Sequence, residues 1–88
     1  MSWACKLTED AQDDLRGLPK TIPKRIARVL NHMATNPFQG NVKALKGEEW
    51  RGIFRRRIGD YRLLFTADHL TQTVSILRIL LRSGKTYR

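Results

Sequence analysis

The chain has 88 residues, a net charge of +9 and 41% apolar residues, so it has room for one folded domain over residues 1–88. No apolar run approaches the roughly 18 residues that cross a bilayer, which predicts no membrane partner. The single cysteine, Cys5, excludes an intrachain disulfide, and too few Cys and His residues are present for a structural zinc site. We therefore expect a cytoplasmic protein without a metal or another cofactor.

The first part of the sequence predicts one strand followed by two helices. Residues 3–7 alternate between apolar and polar side chains, as in a short strand with one buried side. Acidic residues at the start of the next segment favour a helix over about residues 9–18, and Pro19 ends it. Pro23 suits the first turn of a second helix, which closes near residue 36.

The second part predicts a loop and then a sheet. Residues 37–49 are rich in glycine, proline and asparagine and indicate a loop. From Trp50 onward the apolar period changes from helical to two, which predicts three strands at 50–58, 61–67 and 73–82. Gly59-Asp60 suits a tight hairpin turn between the first two of them, and residues 68–72 a longer connection.

The expected fold is therefore α+β, with an N-terminal strand and an antiparallel helical hairpin packed on one face of a small, mostly antiparallel β-sheet. Alternation along the strands places arginines on the opposite face. They are Arg55, Arg57, Arg62, Arg78 and Arg82. Arg56 breaks this pattern because alternation sends it towards the core, so we expect either snorkelling at the sheet edge or a β-bulge.

The positive charge is concentrated in the second part of the chain. Residues 1–50 carry 8 basic and 6 acidic side chains, whereas residues 51–88 carry 9 basic and 2 acidic ones. Most of these later basic residues are arginine, whose forked donors match phosphate oxygens. This distribution indicates a polyanionic counterpart: nucleic acid, an acidic protein segment or an anionic membrane.

The segment Phe54–Phe65, with Gly59-Asp60-Tyr61-Arg62 between two strands, resembles the signature of the RelE/ParE toxin superfamily. Leu45-Lys46-Gly47 resembles the short motif that precedes it, and the basic, tyrosine-containing C-terminus resembles that of the RelE-type branch. The resemblance covers essentially the whole chain. It implies the RelE-like fold, cleavage of messenger RNA in the ribosomal A site, and neutralisation by a cognate RelB-like antitoxin.

The resemblance also assigns roles to individual residues. Those expected to act in catalysis are Arg55, Arg57, Arg62, Arg82 and Tyr87. Those expected to bind RNA are Arg51, Arg78 and Lys85. The chain departs from many relatives at Leu80-Leu81, where they carry glycine and a basic residue or histidine.

Cleavage of RNA by its own 2′-hydroxyl requires alignment of the sugar with the phosphate, neutralisation of charge and proton transfer. Arginines meet the second need, but a guanidinium stays protonated and makes a weak general base. Lys85 and Tyr87 are therefore the candidate proton carriers. Two other functions remain open at this stage: ParE-like inhibition of DNA gyrase on the same fold, and nucleic-acid binding without catalysis.

Overall fold

The structure is a computed structural model that describes residues 2–81. Its helices are α1 (Glu9–Arg16) and α2 (Ile22–Thr35), and a 3-10 turn spans Glu48–Trp50. Its strands are β1 (Ala4–Leu7), β2 (Val42–Ala44), β3 (Phe54–Ile58), β4 (Tyr61–Asp68) and β5 (Thr73–Leu81). The strands form one sheet in the order β1-β5-β4-β3-β2, in which only the β1–β5 pair is parallel. The predicted α+β fold, including its N-terminal strand, is confirmed.

Local sequence signals account for the limits of both helices. The Thr8 hydroxyl accepts a hydrogen bond from the Ala11 backbone amide at 3.2 Å, which makes Thr8 the N-cap of α1. Helix α1 ends at Arg16, two residues before the predicted limit. Helix α2 has Pro23 in its first turn and ends at Thr35, because Asn36 and the proline after it leave the helical conformation.

The core lies between the helices and one face of the sheet. Apolar side chains of β3, β4 and β5 point towards α1 and α2 and are almost completely buried. The buried core residues are Ala11, Ile26, Met33, Ile58, Leu63, Phe65, Val74, Ile76 and Ile79. Since these residues come from both layers, their burial holds the helices on this face and leaves the opposite face of the sheet available.

The predicted strand 50–58 is wrong in its first part, and the predicted loop 37–49 contains a strand that was missed. Gly47 and Gly52 both have positive φ angles, of 103° and 80°, which interrupt an extended chain on either side of Trp50. The segment instead forms the 3-10 turn, and β3 begins only at Phe54. The missed strand, β2, has three residues, too few to show an alternating pattern, and it forms through its pairing with β3.

Strand β5 is not the uniform alternating run that the sequence predicts. Leu64 pairs with Arg78 and Phe65 pairs with Ile76, so Leu77 is the extra residue of a β-bulge. Strict alternation along the predicted strand 73–82 would place Leu77 on the same face as Ile79 and Leu81, and the bulge breaks this alternation at Leu77. The bulge lets both ends of β5 direct apolar side chains into the same core.

Helix α1 closes the edge of β5 where β1 ends. The Thr8 amide donates to the Ile76 carbonyl at 3.0 Å, and the Thr8 hydroxyl donates to the Leu77 carbonyl at 3.0 Å. Asp14 then accepts hydrogen bonds from the Ile79 backbone amide at 2.9 Å and from Arg78 Nε at 2.8 Å. Beyond the end of β1, the Asp14 carboxylate thus accepts the hydrogen bond from the Ile79 amide that a neighbouring strand would otherwise accept.

These contacts control the ionisation of Asp14. Burial raises the pKa of its carboxyl group, but the hydrogen bonds from Arg78 and Ile79, together with the positive charge of Arg78, outweigh burial. The pKa of Asp14 therefore lies below its ordinary value. A group with a lowered folded-state pKa stabilises the fold above its unfolded-state pKa, and that contribution is lost as pH falls through the folded-state pKa.

We expect Asp14→Asn to lower the free energy of unfolding by about 1–3 kcal/mol near neutral pH, because charge-assisted hydrogen bonds to a partly buried carboxylate are lost. The deficit should begin to shrink below about pH 4, where the carboxyl group of the unfolded chain becomes protonated, and should disappear once the pH has fallen through the lowered folded-state pKa of Asp14. Urea denaturation at several pH values measures both effects. Asp13→Asn is the matched control, since the Asp13 side chain is 64% exposed and its ion pair with Arg16 lies at the surface. An equal loss in both variants, or a deficit that persists in acid, contradicts the assignment.

Candidate nucleic-acid interface

The β3–β4 hairpin determines which side chains face away from the helices. Its turn contains Gly59, which has a positive φ of 56°. The hairpin register places Arg57 directly opposite Arg62 and Arg55 directly opposite Leu64. Directly opposite residues in a sheet share one face, and these four lie on the face away from the core. We call the part of this surface around the hairpin arginines the open face and define it by Lys43, Arg55, Arg57, Arg62, Leu64, Arg78 and Leu80.

Arg57 and Arg62 form a like-charge pair on the open face, one position from the β3–β4 turn. Like charges that lie directly opposite in a sheet destabilise it by several tenths of a kcal/mol, up to about 1 kcal/mol. The Arg57 Nε atom is also buried and has no hydrogen-bond partner among residues 2–81. A buried donor without a partner has a further cost. An anion bound between the side chains of Arg57 and Arg62 would offset both the repulsion and the cost of the buried Arg57 donor.

Arg55 lies on the same face but is more deeply buried, with 8% of its surface exposed. Its Nη1 atom donates to the Asn41 carbonyl at 3.2 Å and to Asn41 Oδ1 at 3.1 Å. These bonds fasten the segment before β2 to β3. Arg55 therefore has a structural role that Arg57 does not share, and it stands next to Arg57 on the same strand.

Arg56 points to the helix side, as the alternation predicts. It lies opposite Val42 on β2 and Leu63 on β4, and its guanidinium donates to the Gln39 carbonyl at the sheet edge. The guanidinium passes so close to Gly40 that a Cβ atom there would overlap it. The predicted snorkelling of Arg56 is thus confirmed, and the β-bulge of the sheet lies in β5 instead.

An apolar cavity of about 220 Å³ opens beside Arg62. It is lined by Leu45, Lys46, Trp50, Arg62 and Leu64. The 3-10 turn places Trp50 there, with the Trp50 amide donating to the Gly47 carbonyl at 3.1 Å. Gly47 has a φ of 103° and a ψ of 152°, a conformation open mainly to glycine. Sequence reasoning missed Trp50 because it assigned this residue to a strand; the available signal was a tryptophan between two glycines.

The remaining predicted site residues lie away from the pair of Arg57 and Arg62 or outside the described range. Arg51 is exposed and donates to Glu48 at 3.1 Å. Arg78 is held at the edge of β5 by Asp14, and this hydrogen bond raises its pKa above the ordinary value. Arg82, Lys85 and Tyr87 lie outside the described residues, and their roles stay predictions.

Metal binding and membrane insertion are two further possibilities for the described residues. Over residues 2–81, no group of three or more His, Cys, Asp or Glu side chains is placed to hold a metal ion. Within the same range, none of the helices has the length and apolar character required to cross a membrane.

Residues 5–85 match the family described as the ParE toxin of the type II toxin–antitoxin system parDE. The structure resembles the RelBE2 toxin–antitoxin complex of Mycobacterium tuberculosis, with 31% identity over 93% of this chain and 100% of that chain, and a TM-score of 0.83. It also resembles the RelE–RelB complex of Pyrococcus horikoshii, with 23% identity over 96% and 99% of the two chains and a TM-score of 0.81. No curated protein sequence matches the chain.

A third similar structure is the YoeB/ParE toxin of Agrobacterium tumefaciens, with 18% identity over 89% of this chain and 96% of that chain, and a TM-score of 0.75. Two helices on a five-stranded sheet with a basic open face define a small toxin of the RelE-like fold. The chain belongs to the RelE/ParE superfamily and is a toxin of a type II toxin–antitoxin system.

Because Arg55 and Arg57 differ in their contacts, substitution by glutamine should change the free energy of unfolding in opposite directions at the two positions. Arg55→Gln should lower the free energy of unfolding by about 1–3 kcal/mol, because the shorter side chain loses the bonds to Asn41. Arg57→Gln should raise it by about 0.2–1 kcal/mol, because the like-charge pair is removed. Urea denaturation of both variants at low and high salt checks this.

Salt supplies the control for that pair of measurements. The gain in Arg57→Gln should decrease towards 1 M salt, where charges are screened over about 3 Å. The loss in Arg55→Gln should remain, since it comes from buried hydrogen bonds. If Arg57→Gln instead lowered the free energy of unfolding, Arg57 would be a stabilising residue, and the proposed destabilising repulsion from Arg62 would be contradicted.

Proposed function

We propose that this toxin is an endoribonuclease that cleaves messenger RNA on the translating ribosome in the cytoplasm, acting as one toxin domain over residues 1–88. The observation that carries the proposal is the directly opposed pair Arg57 and Arg62, with an apolar cavity beside Arg62. A like-charge pair in an otherwise stabilised sheet is costly for the fold. Binding of a phosphate between the two guanidinium groups supplies a reason for its presence.

The chemistry that these groups support is transfer of the phosphate from the 5′-oxygen to the adjacent 2′-oxygen. The 2′-hydroxyl attacks phosphorus, the bond from phosphorus to the 5′-oxygen breaks, and a cyclic phosphate and a 5′-hydroxyl result. Negative charge grows on the phosphate oxygens during attack, and forked guanidinium donors stabilise it. Arg62 and Arg57 would hold the phosphate, and Lys85 and Tyr87 remain the candidates for moving the protons.

This arrangement explains why a ribosome would help. Neither arginine is an effective base, and the carboxylate that alternation along β4 places on the same face, Asp68, lies at the opposite end of that strand from Arg62. The rate would then depend mainly on alignment of the 2′-hydroxyl with the scissile bond, which a fixed messenger RNA on a host surface can supply.

Inhibition of DNA gyrase is the second candidate, because the family that matches residues 5–85 is described as the ParE toxin. That function would use the same fold as a protein-binding surface without cleavage. It gives no role to a buried Arg57 donor beside Arg62, so it ranks below ribonuclease activity.

We also propose a RelB-like antitoxin as the partner, since the similar structures from Mycobacterium tuberculosis and Pyrococcus horikoshii are toxin–antitoxin complexes. A partly acidic helix across the open face, or one that displaces the C-terminal segment, would complement the positive charge of the chain. Co-expression of the adjacent reading frame should restore growth, and affinity for its product should fall with rising salt. A product that neither binds nor neutralises the toxin contradicts this assignment.

The function is tested by inducing the protein in a bacterial host and mapping the 5′ ends of messenger RNA. We expect new cleavages inside translated frames. Arg62→Ala and Arg57→Ala should each reduce them by about 100- to 1,000-fold, the usual cost of removing one donor to a developing negative charge.

Arg16→Ala is the matched control, because Arg16 is an exposed arginine on α1 that pairs only with Asp13 among the described residues. It should cleave like the wild type, and circular dichroism should show that all variants are folded. Growth arrest with broken DNA and intact messages would replace the proposal with gyrase inhibition. Full cleavage by a folded Arg62→Ala protein would remove Arg62 from the mechanism.

A further inference from the structure

We propose that the cavity beside Arg62 is a nucleobase pocket, in which one base of the bound RNA stacks on Trp50 while its phosphate contacts Arg62. This inference rests on the proposed ribonuclease function and names the part of the substrate that the cavity takes. It assigns to Trp50 the role of a positioning residue that selects the base next to the cleaved bond.

The shape and lining of the cavity suit one flat ring. Its volume of about 220 Å³ lies below the roughly 300–1,000 Å³ of typical small-molecule sites, so it accommodates a ring system and not a whole nucleotide. Leu45, Leu64 and the indole of Trp50 provide its apolar walls. An unpaired base in RNA is commonly recognised in this way, by stacking on an aromatic side chain.

The backbone holds Trp50 firmly in position before any ligand binds. The Trp50 carbonyl accepts a hydrogen bond from the Ile53 amide at 3.0 Å, and the Leu45 amide donates to the Ile53 carbonyl at 2.9 Å. A Cβ atom built on Gly47 would lie 3.5 Å from Trp50 Cδ1, so the indole packs closely over that glycine. A platform fixed in this manner loses little conformational entropy when a base stacks on it.

Charge at the rim distinguishes a nucleotide from an apolar peptide side chain as the occupant. Lys46 and Arg62 both line the cavity, and Arg57 lies directly opposite Arg62 on the next strand. A nucleotide places its ring and its phosphate on adjacent apolar and cationic surfaces. An apolar side chain of a protein would fill the walls but would bring no anionic group towards Lys46 and Arg57.

The binding test uses Trp50 as its own reporter. Trp3 and Trp50 are the two tryptophans of the chain, so Trp3→Phe leaves Trp50 as the single source of indole fluorescence. The full chain with this change is titrated with short RNA whose 2′-hydroxyl groups are methylated, so that it resists cleavage. A matched set of oligonucleotides lacks one base at a time but keeps every phosphate.

We expect base-containing RNA to quench Trp50 fluorescence. Removal of one particular base should weaken binding by about 5- to 150-fold, the usual effect of losing one stacked base. Trp50→Ala, followed by anisotropy of labelled RNA, should weaken binding of the intact RNA by a similar factor and should no longer distinguish the oligonucleotide that lacks the base. Trp50→Phe keeps an aromatic face and should retain most of the affinity.

Cleavage patterns give a readout that a merely structural Trp50 would not change. In cells, Trp50→Phe should alter the nucleotide preference beside the cut sites, whereas Trp50→Ala should cut the same messages with weaker preference and a higher KM. A folded Trp50→Ala protein with unchanged preference overturns the proposal.

The experimental outcomes distinguish failure of the base-pocket proposal from failure of the proposed ribonuclease function. Equal binding of all oligonucleotides, with a steep salt dependence, overturns the base pocket and leaves phosphate binding by the arginines intact. Quenching of Trp50 by an antitoxin peptide, with none by RNA, makes the cavity a peptide site and also overturns the inference. Absence of any RNA binding or cleavage contradicts both.

Discussion

The pairing register of β3 and β4 is the constraint on which the open face depends. A shift of one residue would exchange the two faces of a strand, because side chains alternate along it. Leu63 and Phe65 are completely buried on the helix side, and exposing either would cost about 1.5–3 kcal/mol. The repulsion between Arg57 and Arg62 is smaller than this cost. The core therefore keeps the arginines together even though they repel each other.

The helices protect this arrangement by occupying the other side and one edge of the sheet. Helix α1 continues along β5 beyond the end of β1, and Asp14 accepts a hydrogen bond from the amide of Ile79 that β1 does not reach. The same carboxylate pairs with Arg78, so this arginine is held at the edge. Four acidic residues lie in α1. Strand pairing does not place any of them among the positions that define the open face, where Arg57 and Arg62 lie.

The sequence allowed prediction of the parts that depend on local pattern. The start of α1 followed from its acidic first turn and the start of α2 from Pro23, and the β3–β4 hairpin followed from Gly59-Asp60 between alternating runs. The position of Arg56 also followed from alternation alone. These features depend on neighbours in the chain, which a sequence displays directly.

The parts that escaped prediction depend on distant contacts or on backbone conformation. Strand β2 exists because β3 lies beside it, and its three residues carry no periodic signal. The bulge at Leu77 reflects the need of both ends of β5 to reach one core. The ion pair of Asp14 with Arg78 joins residues 64 positions apart. The place of Trp50 depends on the positive φ of Gly47, which the residue type permits but does not require.

The fold is shared by toxins that act in different ways, so the choice between RNA cleavage and gyrase inhibition depends on what the open face does chemically. A surface that binds only protein gains affinity from buried apolar and aromatic contacts, and it can separate its charges. Here the charges are concentrated instead, with Arg57 opposite Arg62 and one guanidinium nitrogen of Arg57 buried without a partner in the described part of the chain. Such an arrangement reduces stability unless an anion binds. In the proposed function a phosphate of the RNA chain would be that anion, and the cavity at Trp50 would take the base attached to it.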